Sequence, residues 1–586
     1  MGGVARITVA SSTRESIWVA LVGVAASSLC FALYMRGLDG LHIPLAYRGD
    51  ALAYLNQIDN MIPRGWYWRS HEMAHPFGQD QSPIAQADLL PYSILWLLAR
   101  ILGEEGRTFN AFILLSCGAN ASGAFWAARR LAHARAAALL VGFGFAFSYY
   151  HWYHLGAHLA LGWSFLVPVW MALVLAWAIG EMMPSAGPST ERRSSARGIV
   201  GVALLQSLSG VYYSAFLLVT IVTLAGVVAV ATRRTRPLLV ALRAALVVAV
   251  GFVLQAAIQA MARGDFVLPR SVVPRSLGDL EYYSLQPVHL LLPADGYPIA
   301  RIAVAAARRV PESLRGEGGK FLGFLAIAGL VGLVVLAISR PVSAVASVGR
   351  LSARLQMVVA VVLVLVALPG GGGYLLGLAG LRELRVWSRV ALPLTLIGLL
   401  GLAAMLGIVC AHTSRRTWLG GMAFAAVAVA VWEVSDRPPA AAEAVERWRA
   451  DAAAVATIRD ALPPGAAVLQ LPDVPYPEME PILEFADYEH FRPALHRDEF
   501  CWSYGVLRGR TGVGLGLDGL LRDRQFSQRA ARAGFDAVWV DLRALTDDQR
   551  ASLDALMDDG GEWLRPRNDV VVHATERRVG GCHPES

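Results

Sequence analysis

The sequence predicts an all-α polytopic bundle of transmembrane helices, followed by a small α/β domain. The 586-residue chain is 55% hydrophobic and only 17% charged, whereas a soluble protein needs about 25% charged residues to cover its surface. Long apolar segments recur through residues 1–435, with arginines clustered between them. From residue 436 to 586, helical stretches instead alternate with short runs of β-forming residues.

The apolar segments predict the membrane spans, because a helix needs about 20 apolar residues to cross the hydrocarbon core. The candidate segments are 15–35, 107–128, 136–150, 158–180, 199–231, 237–260, 321–339, 355–372, 389–411 and 416–434. The segment 199–231 has arginine clusters at both ends, so a single helix would place one cluster on the wrong side of the membrane. A break near Ser209-Gly210 solves this conflict and makes about eleven spans.

The arginine positions predict the orientation of the chain. Cytoplasmic loops are enriched in lysine and arginine, and six loops satisfy this rule if segment 89–102 is an interfacial or re-entrant helix. The chain is then a multi-pass protein of the cytoplasmic (inner) membrane with a cytoplasmic N-terminus. Loops 36–106, 261–320 and 373–388 lie outside, together with the domain 436–586. The net charge of +7 reflects this topology, and no nucleic-acid partner is expected.

The C-terminal domain is predicted from a short series of elements. Helical stretches are expected at 440–461, 519–533 and 546–558, and strands at 467–471, 536–540 and 570–572. Cys501 and Cys582 both lie in this domain, where an exported protein allows them to pair, but the sequence does not decide whether they do.

The first outer loop carries more polar side chains than a connection requires. Asp50 follows the first span with Arg48 beside it, and His75 and Asp80 come later in the same loop. Long loops are often functional, and a carboxylate at the membrane interface is suited to act as a general base on a hydroxyl. A solvated loop without chemistry explains the same residues, so both interpretations stay open.

His154 and His158 lie in the next outer turn, among tyrosine and tryptophan residues. Their i,i+4 spacing places them on one helical face, as two metal ligands would lie, so a divalent cation stays open as a cofactor. The alternative is an aromatic belt at the interface, with both histidines bonded to lipid headgroups or loop carbonyls.

The loop 373–388 and its end place Arg382, Arg385 and Arg389 outside, against the charge rule. The guanidinium fork matches phosphate oxygens in pairs, so these side chains predict a phosphate or pyrophosphate site. Contact with anionic lipid headgroups or a salt bridge to the C-terminal domain explains them equally well.

Two further outer regions contribute candidate binding residues. Glu281 and His289 lie in loop 261–320, and Tyr212 and Tyr213 follow the predicted break at Gly210. A broken hairpin at membrane depth is tolerated only where it lines protein or a water-filled cavity. We therefore expect a cavity at the outer leaflet, below the three polar loops.

This arrangement resembles the GT-C membrane glycosyltransferases, which combine an Asp after the first span with a large first outer loop and an outer α/β domain. Three segments are similar to recurring segments of a poorly characterised bacterial branch of that family: 75–78, 147–158 and 384–389. The resemblance covers residues 15–435. The wider family has two adjacent carboxylates in its first loop, whereas this chain has only Asp50 there.

The resemblance implies an inverting transferase that moves a sugar from a polyprenyl-phosphate donor to an acceptor on the outer face. The acceptor is a cell-envelope glycan, a lipid or a protein, and membrane lipids surround the site. Asp50 would deprotonate the acceptor hydroxyl, while Arg385 and Arg389 would stabilise the leaving phosphate. The remaining candidates for substrate binding are Arg48, His75, Asp80, His154, His158, Tyr212, Tyr213, Glu281 and His289.

Two other functions fit the same cavity. One is a transporter or flippase of lipid-linked glycans, although the sequence shows no repeat of two similar halves and few acids within the spans. The other is a non-catalytic membrane assembly protein that uses its outer domain to bind a partner.

Overall fold

The computed structural model describes residues 13–577 and 579, with several gaps. The gaps are 85–86, 187–188, 264–271, 274, 293–315, 341–343, most of 412–438, 497–499, most of 509–524, and 559. The predicted span 416–434 therefore falls largely outside the described residues, as does Cys582. Of the predicted helix 519–533, positions 519, 520, 522 and 524 are outside, and the described part is helical over Phe526–Arg532.

The described part of residues 13–411 is mostly helical. The first nine helices are α1 (Thr13–Cys30), α2 (Asp50–Arg64), α3 (Leu89–Leu102), α4 (Glu105–Arg130), α5 (Arg135–Ala146), α6 (Tyr149–Leu155), α7 (Leu159–Gly162), α8 (Leu166–Met182) and α9 (Ser189–Ser207). The next eight are α10 (Val211–Thr232), α11 (Arg236–Arg263), α12 (Leu277–Tyr282), α13 (Val288–Leu291), α14 (Phe324–Ile338), α15 (Ala344–Ala367), α16 (Gly372–Leu378) and α17 (Ala391–Ala411). A two-stranded ribbon, β1 (Arg69–Ser70) with β2 (Gln79–Asp80), lies in the first outer loop.

Within the described residues, seven helices are long and apolar enough to cross a membrane. They are Thr13–Met35, Glu105–Arg130, Leu159–Met182, Val211–Thr232, Arg236–Arg263, Ala346–Ala367 and Trp387–Ile408. Each overlaps a predicted span, although Ala346–Ala367 begins nine residues before the predicted 355–372, and the chain is a multi-pass membrane protein.

Two predicted spans are shorter helices than expected. α5 has 12 residues and α14 has 15, so at 1.5 Å per residue neither covers the roughly 30 Å of a hydrocarbon core by itself. α5 packs closely on α4, because Gly142 has no side chain and a Cβ there would lie 2.9 Å from the Ala121 carbonyl oxygen. The short helix α5 is therefore packed tightly against the longer helix α4.

The long apolar segment 199–231 is broken where the sequence predicted. α9 ends at Ser207 and α10 begins at Val211. Gly210, between them, has a φ of +129°, a backbone conformation that glycine adopts most readily. The Ser214 hydroxyl lies 3.0 Å from the Gln206 carbonyl oxygen, one of the acceptors without a helical partner at the end of α9.

The helix α3 forms over the predicted interfacial segment. It has 14 residues and follows Asp88. The Leu90 N–H donates to the Leu208 carbonyl at 2.7 Å, so the start of α3 is fixed to the break between α9 and α10.

The C-terminal domain is a five-stranded mixed sheet with helices. Its elements are α18 (Pro439–Arg459), β3 (Ala467–Leu471), α19 (Phe491–Ala494), β4 (Cys501–Trp502), α20 (Phe526–Arg532), β5 (Ala537–Asp541), α21 (Asp547–Asp558), β6 (Trp563–Arg567) and β7 (Val570–Ala574). The strand order is β4-β3-β5-β7-β6, and β3 runs parallel to both of its neighbours. The three predicted strands are confirmed.

The sequence missed both edge strands of this sheet. β4 has only two residues, and β6 contains Pro566, which lacks the N–H of a ladder donor and is tolerated mainly at sheet edges. Cys501, in β4, is disulfide-bonded.

The first outer loop covers the β4 edge of the sheet. His75 N–H donates to the Trp502 carbonyl at 2.9 Å, and Trp502 N–H donates to the Glu72 carbonyl at 2.7 Å. The Arg492 guanidinium lies 5.3 Å above the Tyr47 ring, whose hydroxyl donates to the Arg492 carbonyl at 3.1 Å. The C-terminal domain is therefore attached directly to the loop that carries Asp50.

Candidate active site

Asp50 occupies the first turn of α2, where the chain leaves the first span. Gly49 before it has a φ of +53°, and the helix begins at once. A carboxylate in this position is stabilised by the free N–H groups of the first turn. The Asp50 side chain is 40% exposed to solvent, and its Oδ2 lies 2.9 Å from His158 Nδ1.

Two histidines connect Asp50 to a buried glutamate. His158 Nε2 lies 3.6 Å from Glu317 Oε1, and His154 Nε2 lies 3.7 Å from Glu317 Oε2. His154 is fully buried, and its Nδ1 is 2.7 Å from the Tyr150 carbonyl oxygen. A carbonyl oxygen accepts only, so this contact places the His154 proton on Nδ1 and leaves Nε2 facing the glutamate.

Glu317 is held by Arg389 through two hydrogen bonds. The Arg389 Nε and Nη2 atoms donate to the two carboxylate oxygens at 2.9 and 2.7 Å. Burial alone raises the pKa of Glu317, but the Arg389 charge outweighs it and holds this pKa well below its usual range. The guanidinium also lies 4.4 Å above the Tyr212 ring. Arg389 is therefore already neutralised and fixed in place.

Glycines allow Glu317 to approach the histidines. A Cβ at Gly318 would lie 2.4 Å from the Tyr153 ring, and one at Gly319 would lie 2.7 Å from the His154 ring. Contacts this close exclude any side chain without a shift of the neighbours. Lys320 follows and is itself buried, with Nζ 3.3 Å from His289 Nδ1.

The pKa values of Lys320 and His289 are both shifted. Burial lowers the pKa of Lys320 to about 8 and the pKa of His289 to about 4. His289 therefore lies beside the segment that carries Glu317, as a neutral imidazole at neutral pH.

Arg385 belongs to a second cluster, centred on Glu478 of the C-terminal domain. Arg275 makes two bonds of 2.7 Å to the Glu478 carboxylate, and Arg385 lies 3.6 Å from it. Arg508 donates to the Glu478 backbone carbonyl. The Arg385 guanidinium also lies 4.8 Å above the Tyr283 ring. Two guanidinium groups thus share the partly buried Glu478 carboxylate at the contact between the outer loops and the domain, and Arg275 also lies 3.7 Å from Glu383.

Tyr213 supports the site from beneath. Its hydroxyl lies 2.9 Å from the Tyr150 hydroxyl and donates to the Leu161 carbonyl at 2.8 Å. Both rings are buried. These bonds fix α6, which carries His154, to α10.

Four predicted site residues have their contacts elsewhere. Arg48 is largely exposed and lies 3.9 Å from Glu443, and Glu281 is exposed on α12. The His75 ring packs on Phe535 of the C-terminal domain, with ring centres 5.5 Å apart. Asp80 pairs with Arg69 across the β1–β2 ribbon at 3.3 Å. The structure joins these four to the outer scaffold rather than to the cluster around Asp50.

Four acidic residues of the site were missed by the sequence reasoning: Glu317, Glu478, Asp88 and Asp487. Glu317 had a signal, because it lies in the glycine-rich stretch 316–320, next to the only lysine of the chain. Burial raises the pKa of Asp88 to about 6, although Arg389 opposes the effect. Burial raises the pKa of Asp487 to about 7, and the Asp50 charge adds to it.

A divalent cation was left open by the sequence. Within the described part of the chain, no group of three or more His, Cys, Asp or Glu side chains is arranged to hold a metal ion. His158 lies between the Asp50 and Glu317 carboxylates, with one ring nitrogen toward each.

Known proteins were compared with the chain by sequence and by structure. No family model matches the sequence, and no curated protein matches it significantly. Among solved structures, ArnT from Cupriavidus metallidurans in the apo state has a TM-score of 0.53 at 15% identity, over 98% of this chain and 100% of that chain. The second ArnT structure, bound to undecaprenyl phosphate, has a TM-score of 0.51 at 12% identity, over 98% of this chain and 100% of that chain.

Two other solved proteins are similar over most of this chain. The arabinofuranosyltransferase AftD from Mycobacteria has a TM-score of 0.48 at 16% identity, over 99% of this chain and 40% of that chain. The Archaeoglobus fulgidus oligosaccharyltransferase has a TM-score of 0.48 at 13% identity, over 94% and 74%. This chain thus spans well under half the length of AftD. At identities this low, the similarity shows the fold alone. Because the match to ArnT extends over nearly the whole of both chains, this chain has the fold of the GT-C membrane glycosyltransferases.

Proposed function

We propose that this protein is an inverting membrane glycosyltransferase that takes a sugar from a polyprenyl-phosphate donor. Residues 1–435 form the membrane domain and 436–586 the outer domain, with the N-terminus in the cytoplasm and the reaction on the outer face of the cytoplasmic membrane. The acceptor is a hydroxyl of a cell-envelope glycan, a lipid or a protein. ArnT, which shares the fold, has been solved with undecaprenyl phosphate bound, and this supports a polyprenyl-phosphate donor.

The observation that carries the proposal is the continuous chain from Asp50 through His158 to Glu317 and Arg389. It joins four segments that are far apart in sequence, and it ends at the half-exposed carboxylate of Asp50. A general base must be accessible to its substrate, ionised, and held in one orientation. Asp50 meets the first requirement by its exposure, and the His158 contact holds it in one orientation.

In the proposed reaction, Asp50 Oδ accepts the proton of the acceptor hydroxyl. The acceptor oxygen then attacks the anomeric carbon from the face opposite the phosphate. The bond between the anomeric carbon and the phosphate oxygen breaks, and polyprenyl phosphate leaves with the bonding electrons. A single displacement of this kind inverts the anomeric configuration.

The developing charge on the leaving phosphate needs fixed positive groups. The sequence assigned this role equally to Arg385 and Arg389. The contacts favour Arg385, since Arg389 is already paired with Glu317 by two hydrogen bonds. Arg385 lies 3.6 Å from the Glu478 carboxylate, which Arg275 already binds by two hydrogen bonds. We assign phosphate binding to Arg385 and the positioning of Glu317 to Arg389.

The test is a transfer assay with the purified full chain in lipid nanodiscs. Radiolabelled polyprenyl-phosphate sugars are supplied one at a time with envelope extracts, and label is followed into glycan, lipid and protein fractions. The proposal predicts transfer from at least one donor, with an inverted linkage in the product. If undecaprenyl phosphate binds but no donor supports transfer, the enzyme proposal fails and the transport or assembly function replaces it.

A further inference from the structure

A carboxylate of the C-terminal domain contacts both Arg275 and Arg385. Glu478 accepts two hydrogen bonds of 2.7 Å from Arg275 and lies 3.6 Å from Arg385. A guanidinium group binds carboxylates and phosphates through the same paired geometry. We propose that Glu478 is a placeholder for the donor phosphate, which displaces it from these two arginines on binding. The inference rests on the proposed assignment of phosphate binding to Arg385.

The donors of Arg275 are already directed at carboxylates. Its Nη1 and Nη2 atoms donate to Glu478, and its Nε atom lies 3.7 Å from Glu383. A phosphate therefore engages Arg275 only by taking the place of a carboxylate. A phosphate bound beside Glu478 would also meet its negative charge, and like charges at such distances repel each other. Glu478 is the carboxylate that contacts Arg385 as well, so its departure makes both guanidinium groups available to one anion.

The exposure of the three side chains suits an exchange of anions. Glu478 is 40% exposed, whereas Arg275 is 14% and Arg385 is 20% exposed. The carboxylate therefore has a path to solvent, while the two cations are more enclosed. The Tyr283 ring, 4.8 Å from the Arg385 guanidinium, helps to hold that side chain in place. Burial raises the pKa of Glu478, but Arg275 outweighs burial and keeps this pKa below its usual range, so the placeholder is an anion at neutral pH.

The backbone at Glu478 depends on its contacts. Its φ of +56° is a left-handed conformation that a glutamate rarely adopts. Arg508 donates to the Glu478 carbonyl, and the Arg508 N–H donates to the Tyr476 carbonyl at 2.6 Å. These two bonds keep the turn attached to the domain after the side chain leaves. Loss of the bonds to Arg275 removes the other support of this conformation, so the turn should become more mobile.

The same segment of the C-terminal domain reaches the proposed base. Burial raises the pKa of Asp487 to about 7, and the negative charges of Asp50 and Glu478 add to the effect. The Tyr476 hydroxyl donates to Gln81 Oε1 at 3.0 Å, in the loop that carries Asp50. Movement of Glu478 therefore alters the charges around Asp487 and Asp50. Displacement by the donor phosphate thus couples the donor side of the site to the base.

The test measures binding without transfer, on the full chain in nanodiscs. Radiolabelled undecaprenyl phosphate is titrated into the wild type and into Glu478→Gln. If about one molecule in ten of the wild type has the arginines free, the variant should bind about tenfold more tightly. The matched control is Glu480→Gln, which removes the same charge from an exposed position of the same segment and should bind as the wild type does.

A second measurement detects the displacement itself and needs no variant. Hydrogen–deuterium exchange is recorded on the wild type with and without undecaprenyl phosphate. Peptides that cover 476–480 should exchange severalfold faster when the lipid is bound, because the turn at Glu478 has lost the Arg275 bonds. Peptides of strand β5 (Ala537–Asp541), in the centre of the sheet, should not change.

The outcomes separate this inference from the proposed function. Equal or weaker binding by Glu478→Gln, with its fold verified by thermal unfolding, overturns the placeholder even if transfer is observed. An equal gain of affinity in Glu480→Gln also overturns it. Tighter binding with unchanged exchange at 476–480 shows repulsion without displacement and contradicts the inference. The expected affinity and exchange support it even if no donor supports transfer, whereas absence of binding in every variant overturns the phosphate site and the placeholder together.

Discussion

The buried ion pair of Glu317 with Arg389 allows a specific prediction about the free energy of unfolding. Their side chains are only 10% and 12% exposed and share two hydrogen bonds. Glu317→Gln keeps the shape but removes one charge, so Arg389 is left buried without a counter-ion. Removing one partner of a buried pair costs about 3–5 kcal/mol, whereas removing both is often nearly neutral. We expect a loss of about 3 kcal/mol in Glu317→Gln and a recovery of most of it in Glu317→Gln/Arg389→Gln.

The assay is reversible unfolding of the purified chain in mixed micelles with increasing SDS, followed by tryptophan fluorescence. The matched control is Glu443→Gln, which breaks a pair with Arg447 at 2.7 Å in which both side chains are more than a third exposed. Exposed pairs of this kind contribute less than about 1 kcal/mol. Two results would contradict this prediction: a loss of unfolding free energy in Glu317→Gln no larger than that in Glu443→Gln, or a double variant that is the least stable of all. In either case Arg389 is not held in a neutralised pair. The assignment of phosphate binding to Arg385 alone would then lose its basis.

Two further predictions concern the binding of phosphate and the titration of Asp88. Arg385→Gln should weaken binding of undecaprenyl phosphate about tenfold to a hundredfold, since a hydrogen bond to a charged group contributes about 1.5–3 kcal/mol. The measurement is a radioligand binding assay, in which the control Arg449→Gln, at an exposed arginine, should bind normally. Equal effects of the two substitutions would exclude a specific role for Arg385. Burial raises the pKa of Asp88 to about 6, so the folded state binds this proton more tightly than the unfolded chain, and the free energy of unfolding should fall as pH rises from about 4 through 6. Asp88→Asn should reduce that fall, and an identical pH profile of unfolding in variant and wild type would show that Asp88 is not buried as described.

Most of the helical part of the fold could be predicted from the sequence. Length and hydrophobicity determine a span almost alone, and the arginine clusters around 199–231 indicated the break at Gly210 because charge placement is a strong constraint. The lengths of α5 and α14 were not readable. They depend on packing against α4 and α17, which hydrophobicity does not reveal.

The candidate site was only partly readable, for a different reason. Asp50, His154, His158, Tyr212 and Arg389 were singled out one loop at a time, and the structure brings them together. Glu317 was missed since its role depends on glycines that let it enter a crowded space, and burial is invisible in a single sequence. Conversely, His75 and Asp80 have the residue types of a site, but their partners belong to the C-terminal domain and the β1–β2 ribbon.

The most direct test of the central claim compares the transfer rates of Asp50→Asn and Asp39→Asn, using the donor that the wild type accepts. Both substitutions remove a carboxylate from the first outer loop, but Asp39 is 76% exposed and lies only near Arg449, at 3.8 Å. Loss of a general base costs about 10²–10⁴-fold in rate. We expect a loss of that size in Asp50→Asn with undecaprenyl phosphate binding intact, and a normal rate in Asp39→Asn. Equal rates in Asp50→Asn and the wild type would contradict it.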